Sequence, residues 1–237
     1  MQFIETLVLE FVPKWNANTQ LDVLCISTSN PVYLVFCESE ASPSIVVRVS
    51  GLIDIEKTHT IMEQLYGQVG DLIPMPIALT KIDAGMASIQ KGVGGAPWFE
   101  LASNYTERDQ WEELRTRAID ALSRLHEGSF QIQRWQTICE PGNELRRCFD
   151  SCIESGTDLS NEVIKLVEVL ADRLDSLGRI SVYPQHGDYC LNNLIIDLND
   201  LHVIDFEDFG LTSMPFHDEF TLALSMHAQA NDLVRSS

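Results

Sequence analysis

One segment late in the chain, Tyr183 to Gly210, carries polar side chains at a spacing that could do chemistry. The run His186–Asp188 is followed a few residues later by Asn193, and Asp205 stands beyond two short apolar runs. Hard cations such as Mg²⁺ prefer oxygen ligands, which Asn193 and Asp205 can supply. A nearby aspartate can accept the proton of an incoming hydroxyl, as phosphoryl transfer requires. The segment therefore predicts metal-assisted phosphoryl transfer with Asp188 as the base.

A β-hairpin is predicted to bring these side chains together. The apolar runs LIID and HVID between Asn193 and Asp205 flank a turn at residues 199–200. Such a hairpin places the end of the loop beside Asp205, so that one cation could bridge the two residues. Glu207 and Asp208 follow directly. Neighbouring side chains of an extended chain point apart, so at most one of them adds a carboxylate to the metal site.

The first half of the chain predicts an antiparallel sheet around one helix. Apolar residues at helical spacing indicate a helix from about Asp54 to Val69. The Gly-rich stretch Lys91 to Pro97 predicts a hinge between two lobes. Five β-rich runs are bounded by turn-forming residues: Leu21 to Ser27, Pro31 to Glu38, Ser44 to Gly51, Ile77 to Lys81 and Met86 to Gln90.

The second half predicts mainly helices. One amphipathic helix spans about Glu107 to Glu127 and is expected to stop at Gly128, and a second spans about Asn161 to Leu177 with Ser160 or Asn161 as its cap. Strands followed by helices indicate an α+β protein of two lobes, with residues 1–95 as a small N-terminal lobe and residues 96–237 as a larger lobe carrying the hairpin.

Composition limits the partners. The chain has 237 residues, 45% of them hydrophobic, so it can form a core and global disorder is excluded. Its formal net charge of −19 argues against nucleic acid or an anionic membrane surface as the main partner, because both require a positive footprint. Neutral or cationic ligands fit better.

The compartment is predicted from the N-terminus and the cysteines. Acidic residues stand where a signal peptide needs a basic lead, and no apolar run approaches membrane-spanning length. The six cysteines lack zinc-site spacing, which indicates reduced thiols that mostly fill the core. We therefore expect a cytoplasmic protein.

The segment around His186–Asp188 resembles the aminoglycoside phosphotransferase and choline kinase family, small-molecule kinases with a protein-kinase-like fold. The resemblance rests on His-Gly-Asp, on Asn193 at the family's spacing, and on the following run Ile204–Phe206. It implies a bilobal protein-kinase-like fold and ATP- or GTP-dependent transfer with Mg²⁺. The implied acceptor is a hydroxyl of an aminoglycoside-, choline- or sugar-like molecule.

The same resemblance implies roles for individual residues of the large lobe. Asp188 would be the catalytic base, and His186 would support the catalytic loop. Asn193 and Asp205 would hold Mg²⁺. Asp218 would be structural, tying a C-terminal helix to the loop.

In the small lobe the resemblance implies a nucleotide site. Arg48 occupies the strand position where such kinases place a phosphate-contacting base, usually Lys; the alternative is a solvated strand residue. Its acidic helix partner would be Glu56 or Glu63, unless both are surface charges. The turn that contains Ser29 would cover the phosphates with backbone N–H groups.

The acceptor side and one rival function remain open. The chain ends soon after Asp218, where the family continues with further helices, so the acceptor site is expected to be reduced, borrowed from a partner chain, or built by Ser129 to Thr157. The rival is a catalytically idle kinase-like domain that binds nucleotide or a protein partner. Retention of all three polar positions favours the enzyme. Acceptor identity, ATP or GTP preference and oligomeric state are left undetermined.

Nucleotide binding should be visible as a metal-dependent rise in melting temperature. Ligand at about a hundred times its dissociation constant adds roughly 2.7 kcal/mol to the free energy of unfolding. For a domain of this size that is on the order of 5 to 10 °C. Thermal denaturation with ATP and with GTP, each with and without Mg²⁺, measures the shift; the absence of a shift with either nucleotide would contradict the kinase interpretation.

Overall fold

A computed structural model describes residues 2–12, 15, 20–27, 30–38, 40–51, 54–198 and 200–236. The helices are α1 (Gln2–Phe11), α2 (Ile55–Val69), α3 (Trp98–Leu101), α4 (Arg108–Gln131), α5 (Pro141–Glu154), α6 (Asn161–Asp175) and α7 (His217–Ser236). The strands are β1 (Leu21–Ile26), β2 (Val32–Cys37), β3 (Ile45–Val49), β4 (Pro76–Ile82), β5 (Gly85–Lys91), β6 (Ala96–Pro97), β7 (Thr137–Cys139), β8 (Ile180–Val182), β9 (Leu194–Ile196) and β10 (Leu201–Val203). Within the described ranges, every helix is too short or too polar to cross a membrane.

The small lobe is built on an antiparallel sheet with the strand order β1-β2-β3-β5-β4. Side chains alternate across it: Val47 on β3 is fully buried in a core against α1, whereas Arg48 points to the opposite face. Ser88 on β5 is the cross-strand partner of Arg48 and shares that second face. α2 lies on the same face, because its buried His59 contacts Ser88. Arg48 therefore projects from the side of the sheet that carries α2.

The second hydrophobic core joins the lobes. It contains Leu65 and Val69 of α2, Leu122 of α4, and residues of the hairpin β9-β10 such as Leu194 and Val203. The hairpin extends to a three-stranded sheet in the order β10-β9-β6, so residues 92–95 connect the sheet of the small lobe to that of the large lobe. Because α2 packs on α4, the small lobe is held to the large lobe by side-chain packing as well as by this connection.

The predicted fold class is confirmed: an antiparallel sheet comes first and a mainly helical part follows. The five predicted strands, the helix α2 and the hairpin β9-β10 are all present. Ser160 caps α6 by accepting a hydrogen bond from the Val163 amide at 3.4 Å. The division at residues 95 and 96 into two lobes remains a prediction.

Two regions for which no element was predicted contain helices or strands, and one expectation was wrong. The N-terminal run forms α1, which places Ile4, Leu7 and Val8 on one buried stripe. The region 129–157, which showed no clear pattern, contains β7 and α5. Although all six cysteines are free, only Cys37 and Cys139 are buried, so the expectation that most of them fill the core is wrong.

Gly128 does not stop α4, which continues to Gln131. The glycine is buried where α4 passes α2, and a Cβ at this position would stand 2.3 Å from Cγ1 of Val69. A side chain would therefore force the two helices apart. The residue is required for close helix packing and not for a turn.

Substituting the two helical glycines should change stability in opposite directions. Gly128→Ala should lower the free energy of unfolding by about 1 to 3 kcal/mol, because the Cβ overpacks the contact with α2. Gly67→Ala in α2 should raise it by roughly 0.5 to 1 kcal/mol, because a Cβ there meets no atom within 4 Å and alanine favours the helix. Urea denaturation of both variants measures the difference; equal effects would contradict the packing role of Gly128.

Candidate active site

The loop that carries the predicted catalytic residues is anchored in the interior between β8 and β9. Tyr189 is fully buried and its hydroxyl donates to the carbonyl oxygen of Ala118 on α4 at 2.8 Å. His186 is also fully buried, with Nε2 3.1 Å from the carbonyl oxygen of Ile204. Since a carbonyl can only accept, Nε2 carries the proton and Nδ1 accepts from the Asp188 amide at 3.4 Å. His186 therefore supports the loop as a neutral imidazole.

Burial is the main cause that lowers the pKa of His186, and the carboxylates around it, Asp218 foremost, act in the opposite direction. Its ring packs on Phe206, with centroids 4.8 Å apart. A neutral histidine in this position joins the loop to the end of β10 without placing a charge in the core. The support role expected for it stays a prediction, which these contacts favour.

A single buried carboxylate, that of Asp218, holds the start of the loop. It accepts from the backbone amides of His186 at 2.7 Å and Gly187 at 2.9 Å, and His126 Nε2 donates to it at 3.1 Å. Burial alone would raise the pKa of Asp218, but these hydrogen bonds stabilise the charged form and hold the pKa below its ordinary value. The N-terminus of α7 is thereby tied to the loop and to α4.

At position 187, glycine is the only residue type that fits without rearrangement of the neighbouring backbone. Its φ is +90°, and a Cβ would stand 2.4 Å from the carbonyl oxygen of Asp208. Nε2 of His217 donates to the Gly187 carbonyl at 3.1 Å. Both backbone groups of this glycine are thus fixed, and the following Asp188 has a defined direction.

Asp188 and Asn193 are in direct contact. Nδ2 of Asn193 donates to the Asp188 carbonyl and to its carboxylate Oδ2, both at 2.8 Å. The thiol of Cys190 lies beside the same carboxylate; burial first, and then the charge of Asp188, raise the pKa of Cys190 and keep it protonated. The arrangement orients Asp188 and leaves its Oδ1 outside the bond to Asn193.

Asp205 follows β10 in a strained backbone conformation. Its φ of +69° lies in the left-handed region, which is unfavourable for a residue with a side chain. The Ile204 amide donates to the Asn193 carbonyl at 2.9 Å, so the two predicted metal ligands belong to adjoining points of the hairpin. The next residue, Phe206, has a buried ring, which holds the backbone on that side of Asp205 in place.

These residues fit a magnesium ion. The amide nitrogen of Asn193 is committed to Asp188, so its carbonyl oxygen Oδ1 is the atom that would face a cation. Asp205 supplies carboxylate oxygens, and its side chain is 37% exposed. The described residues hold no cluster of three or more His, Cys, Asp or Glu side chains able to bind a metal. Two oxygen ligands leave the remaining positions to phosphate and water, as Mg²⁺ prefers.

Arg48 reaches across from β3 and pairs with the large lobe. Its Nη1 donates to Asp205 Oδ1 at 3.0 Å and to Glu207 Oε1 at 2.6 Å. The expected partner on α2 is absent: among the described residues, no ion pair joins Arg48 to Glu56 or Glu63. The pairing is not seen here because both glutamates lie on the exposed side of α2, in line with the alternative that they are surface charges. Ser29 lies outside the described residues.

The family model described as the phosphotransferase enzyme family matches residues 27–231. The chain belongs to this family. The prediction made from the His186–Phe206 segment is thus confirmed, and this phosphotransferase is a small-molecule kinase by family. No curated protein sequence matches it.

Solved structures share its fold. A choline/ethanolamine kinase family protein from Mesorhizobium loti aligns with a TM-score of 0.61 and 17% identity, over 99% of this chain and 75% of that one. A glucosamine kinase in complex with glucosamine, ADP and inorganic phosphate aligns at 0.59 and 18%, over 98% of this chain. This phosphotransferase spans only 64% of that glucosamine kinase chain.

An aminoglycoside phosphotransferase from Streptomyces rimosus, in complex with ADP and streptomycin, aligns with a TM-score of 0.53 and 19% identity. The alignment covers 97% of this chain and 85% of that one. At these identities the comparisons establish a common fold. The residues that act on a substrate must therefore be argued from this phosphotransferase itself.

Some contacts of the site were missed by sequence reasoning. Glu207 was considered only as an extra metal ligand, whereas it pairs with Arg48. His126, His217 and Cys190 were given no chemistry, yet they contact Asp218, Gly187 and Asp188. Spacing alone offered no signal for the histidines, because their partners are distant in sequence and adjacent only in the fold.

The buried carboxylate of Asp218 predicts a stability that depends on pH. Since its pKa in the folded protein lies below the ordinary 3.8, its contribution is present above about pH 4 and is lost as the pH falls further. Asp218→Asn should lower the free energy of unfolding by about 2 to 4 kcal/mol at pH 7. The deficit relative to wild type should shrink below about pH 4.

Glu219→Gln is the matched control for that variant. Glu219 lies next in sequence, is 42% exposed at its side chain, and approaches the same His126 at 3.7 Å. As a partly exposed pair it should contribute less than about 1 kcal/mol. Chemical denaturation between pH 3 and pH 7 compares the two; a deficit of Asp218→Asn that does not vary with pH would contradict the charged role.

Proposed function

We propose that this phosphotransferase moves the γ-phosphoryl group of ATP to a hydroxyl of a small molecule, with Asp188 as the base and Mg²⁺ as cofactor. The observation that carries the proposal is the contact between Asp188 and Asn193 at 2.8 Å, on a loop whose backbone is fixed by Asp218. One hydrogen bond would thus position the proposed base and the proposed metal ligand relative to each other. The related structures with bound ADP support the choice of nucleotide.

The cation would be held by Asn193 and Asp205, through oxygen atoms that hard Mg²⁺ prefers. When bound, it neutralises charge on the phosphate oxygens as the reaction proceeds. The strained backbone of Asp205 supports the assignment, because such conformations persist mainly at functional sites.

Asp188 would act on the acceptor. It accepts the hydroxyl proton as the acceptor oxygen bonds to the γ-phosphorus and the bond from that phosphorus to the bridging oxygen breaks, releasing ADP. The Asn193 amide holds Oδ2 of Asp188, so Oδ1 is the oxygen that would receive the proton. His186, buried and neutral, would keep the loop in place without competing for it.

Arg48 would contact the phosphates from the small lobe. It lies on the face of the sheet that carries α2, only 17% exposed, and its side chain reaches Asp205. Its planar guanidinium suits phosphate oxygens. The nucleotide would then lie between a small lobe of residues 1–95 and a large lobe of residues 96–237, with GTP as the alternative to ATP.

The acceptor is expected to be neutral or cationic. The formal net charge of −19 favours cations near the protein, and Asp188, Asp205 and Glu207 bring carboxylates to one side of the cleft. Glucosamine and streptomycin, which the related structures contain, are amine-bearing polyols and are the first acceptors to test.

Six free cysteines fit a reducing compartment such as the cytoplasm.

Substitution of Asp188 should distinguish the enzyme hypothesis from the rival hypothesis of an idle binding domain. Asp188→Asn keeps the shape of the side chain but cannot accept the proton, so acceptor-dependent ADP production should fall by about 10² to 10⁴-fold. Asp200→Asn on the exposed hairpin turn is the control and should retain wild-type turnover.

A coupled ADP assay with an amine-bearing polyol measures both variants. Wild-type rates in Asp188→Asn would contradict the assignment of Asp188. Absence of turnover in every protein, with nucleotide binding intact, would instead favour the idle domain.

A further inference from the structure

We propose that Glu207 is the positioning residue for Arg48, in the role that a glutamate of α2 was expected to have. The inference rests on the proposed function and extends it to the control of the phosphate-contacting base. It starts from the 2.6 Å contact between Nη1 of Arg48 and Oε1 of Glu207. This is the shorter of the two ion pairs that Arg48 makes in the described parts of the chain.

The geometry of the guanidinium shows two carboxylates competing for one nitrogen. Nη1 donates to both Glu207 and Asp205, so neither Nε nor Nη2 takes part in these bonds. The Glu207 side chain is 21% exposed and that of Asp205 37% exposed. Glu207 is thus the closer and the less solvated of the two partners, and its attraction to Arg48 is the less screened.

α2 has no carboxylate in a position to do the same. The residue of α2 that contacts the cross-strand neighbour of Arg48 is His59, which is buried and whose Nδ1 lies 2.8 Å from the hydroxyl of Ser88. Ser88 is the cross-strand neighbour of Arg48, so the place beside Arg48 is taken by a histidine–serine pair. Burial lowers the pKa of His59, which favours its neutral form. Glu63 approaches only Nε2 of His59, at 3.7 Å, and its side chain is 60% exposed.

A second carboxylate is needed because Asp205 has another task. A carboxylate that ligates a cation can no longer neutralise Arg48, and a largely buried guanidinium without a counter-charge is unfavourable. Glu207 can keep Arg48 paired while Asp205 turns to the metal. Without Glu207, Asp205 would be the one carboxylate left to Arg48 among the ion pairs of the described residues, and until phosphate oxygens reach Arg48 it would compete with the cation for Asp205.

The pair also connects the two lobes. Arg48 belongs to β3 of the small-lobe sheet, and Glu207 follows β10 of the large-lobe hairpin. A glutamate on α2 would move with the small lobe and with Arg48. Glu207 belongs to the large lobe, so its contact with Arg48 depends on the distance between the two lobes. Glu207 can therefore position Arg48 only when the two lobes are as close together as they are in this structure.

Nucleotide binding as a function of Mg²⁺ concentration tests the proposal without relying on turnover. ADP binding is measured by calorimetry over a series of Mg²⁺ concentrations. Glu207→Gln should raise the Mg²⁺ concentration at half-maximal binding by about tenfold, because Arg48 then holds Asp205 against the cation. Glu207→Asp keeps the charge on a shorter side chain and should recover part of the shift.

Two further glutamate variants show whether the effect is specific to Glu207. Glu63→Gln tests whether a glutamate of α2 positions Arg48, and Glu162→Gln on α6 controls for the loss of one negative charge. Both should match wild type. A shift in Glu63→Gln equal to that in Glu207→Gln would overturn the inference, as would an unchanged midpoint in Glu207→Gln. Lack of Mg²⁺-dependent ADP binding in the wild type would overturn the proposed function itself.

A double-mutant cycle without nucleotide examines the pair by itself. Arg48→Gln and Glu207→Gln are made singly and together, and thermal unfolding is recorded for each, with circular dichroism to verify folding. Because the two side chains are in contact, the double variant should melt within about 1 °C of the less stable single variant. Additive losses would show that the residues act independently and would overturn the proposal.

Discussion

The carboxylate of Asp218 is the interaction on which the site depends. A buried charge is tolerated only when hydrogen bonds satisfy it, and here two consecutive backbone amides and a histidine do so. The requirement works in both directions. The carboxylate is kept charged by the loop, and the loop is kept in one conformation by the carboxylate. Since Asp218 lies in the first turn of α7, the packing of that helix helps to fix the direction of Asp188.

The site concentrates like charges, which in the proposed mechanism would favour a divalent cation. Asp188, Asp205, Glu207 and Asp208 lie within one short stretch of chain, and Arg48 is the base that pairs with two of them. Repulsion among carboxylates is relieved when a divalent cation binds. Arg48 relieves part of it in the structure described here. In the proposed mechanism the arginine and the cation would act on the same carboxylate, and their balance would depend on how firmly Glu207 holds Arg48.

The small lobe differs from the expected kinase arrangement at one point, and the reason is packing. α2 lies against both the sheet and α4, so the positions that face inward must be compact. His59 fills that space and is satisfied by Ser88, whereas a buried glutamate beside it would need its own partner. Glu56 and Glu63 consequently remain at the solvent side. The anchoring of Arg48 passes to the other lobe, where Glu207 is available.

The sequence by itself determined most of the elements and the family. Apolar periodicity located the five strands, α2 and the hairpin β9-β10, because these patterns follow from local geometry. The spacing of Asp188, Asn193 and Asp205 predicted a site, because all three lie within one hairpin and the loop before it, and the roles of the three residues stay a prediction. Asp218 was assigned its structural role by family resemblance, which carries information on distant contacts that spacing lacks.

Only the tertiary structure decided which distant residues meet. Arg48 and Glu207 are separated by most of the chain, and an arginine in a strand is compatible with any carboxylate until the lobes are placed. The role of Gly128 also became visible only in the fold. A glycine near a helix end resembles a stop signal, and the proximity of Val69 shows that it serves helix packing. Local patterns determine elements, whereas pairing across the cleft depends on how whole elements pack.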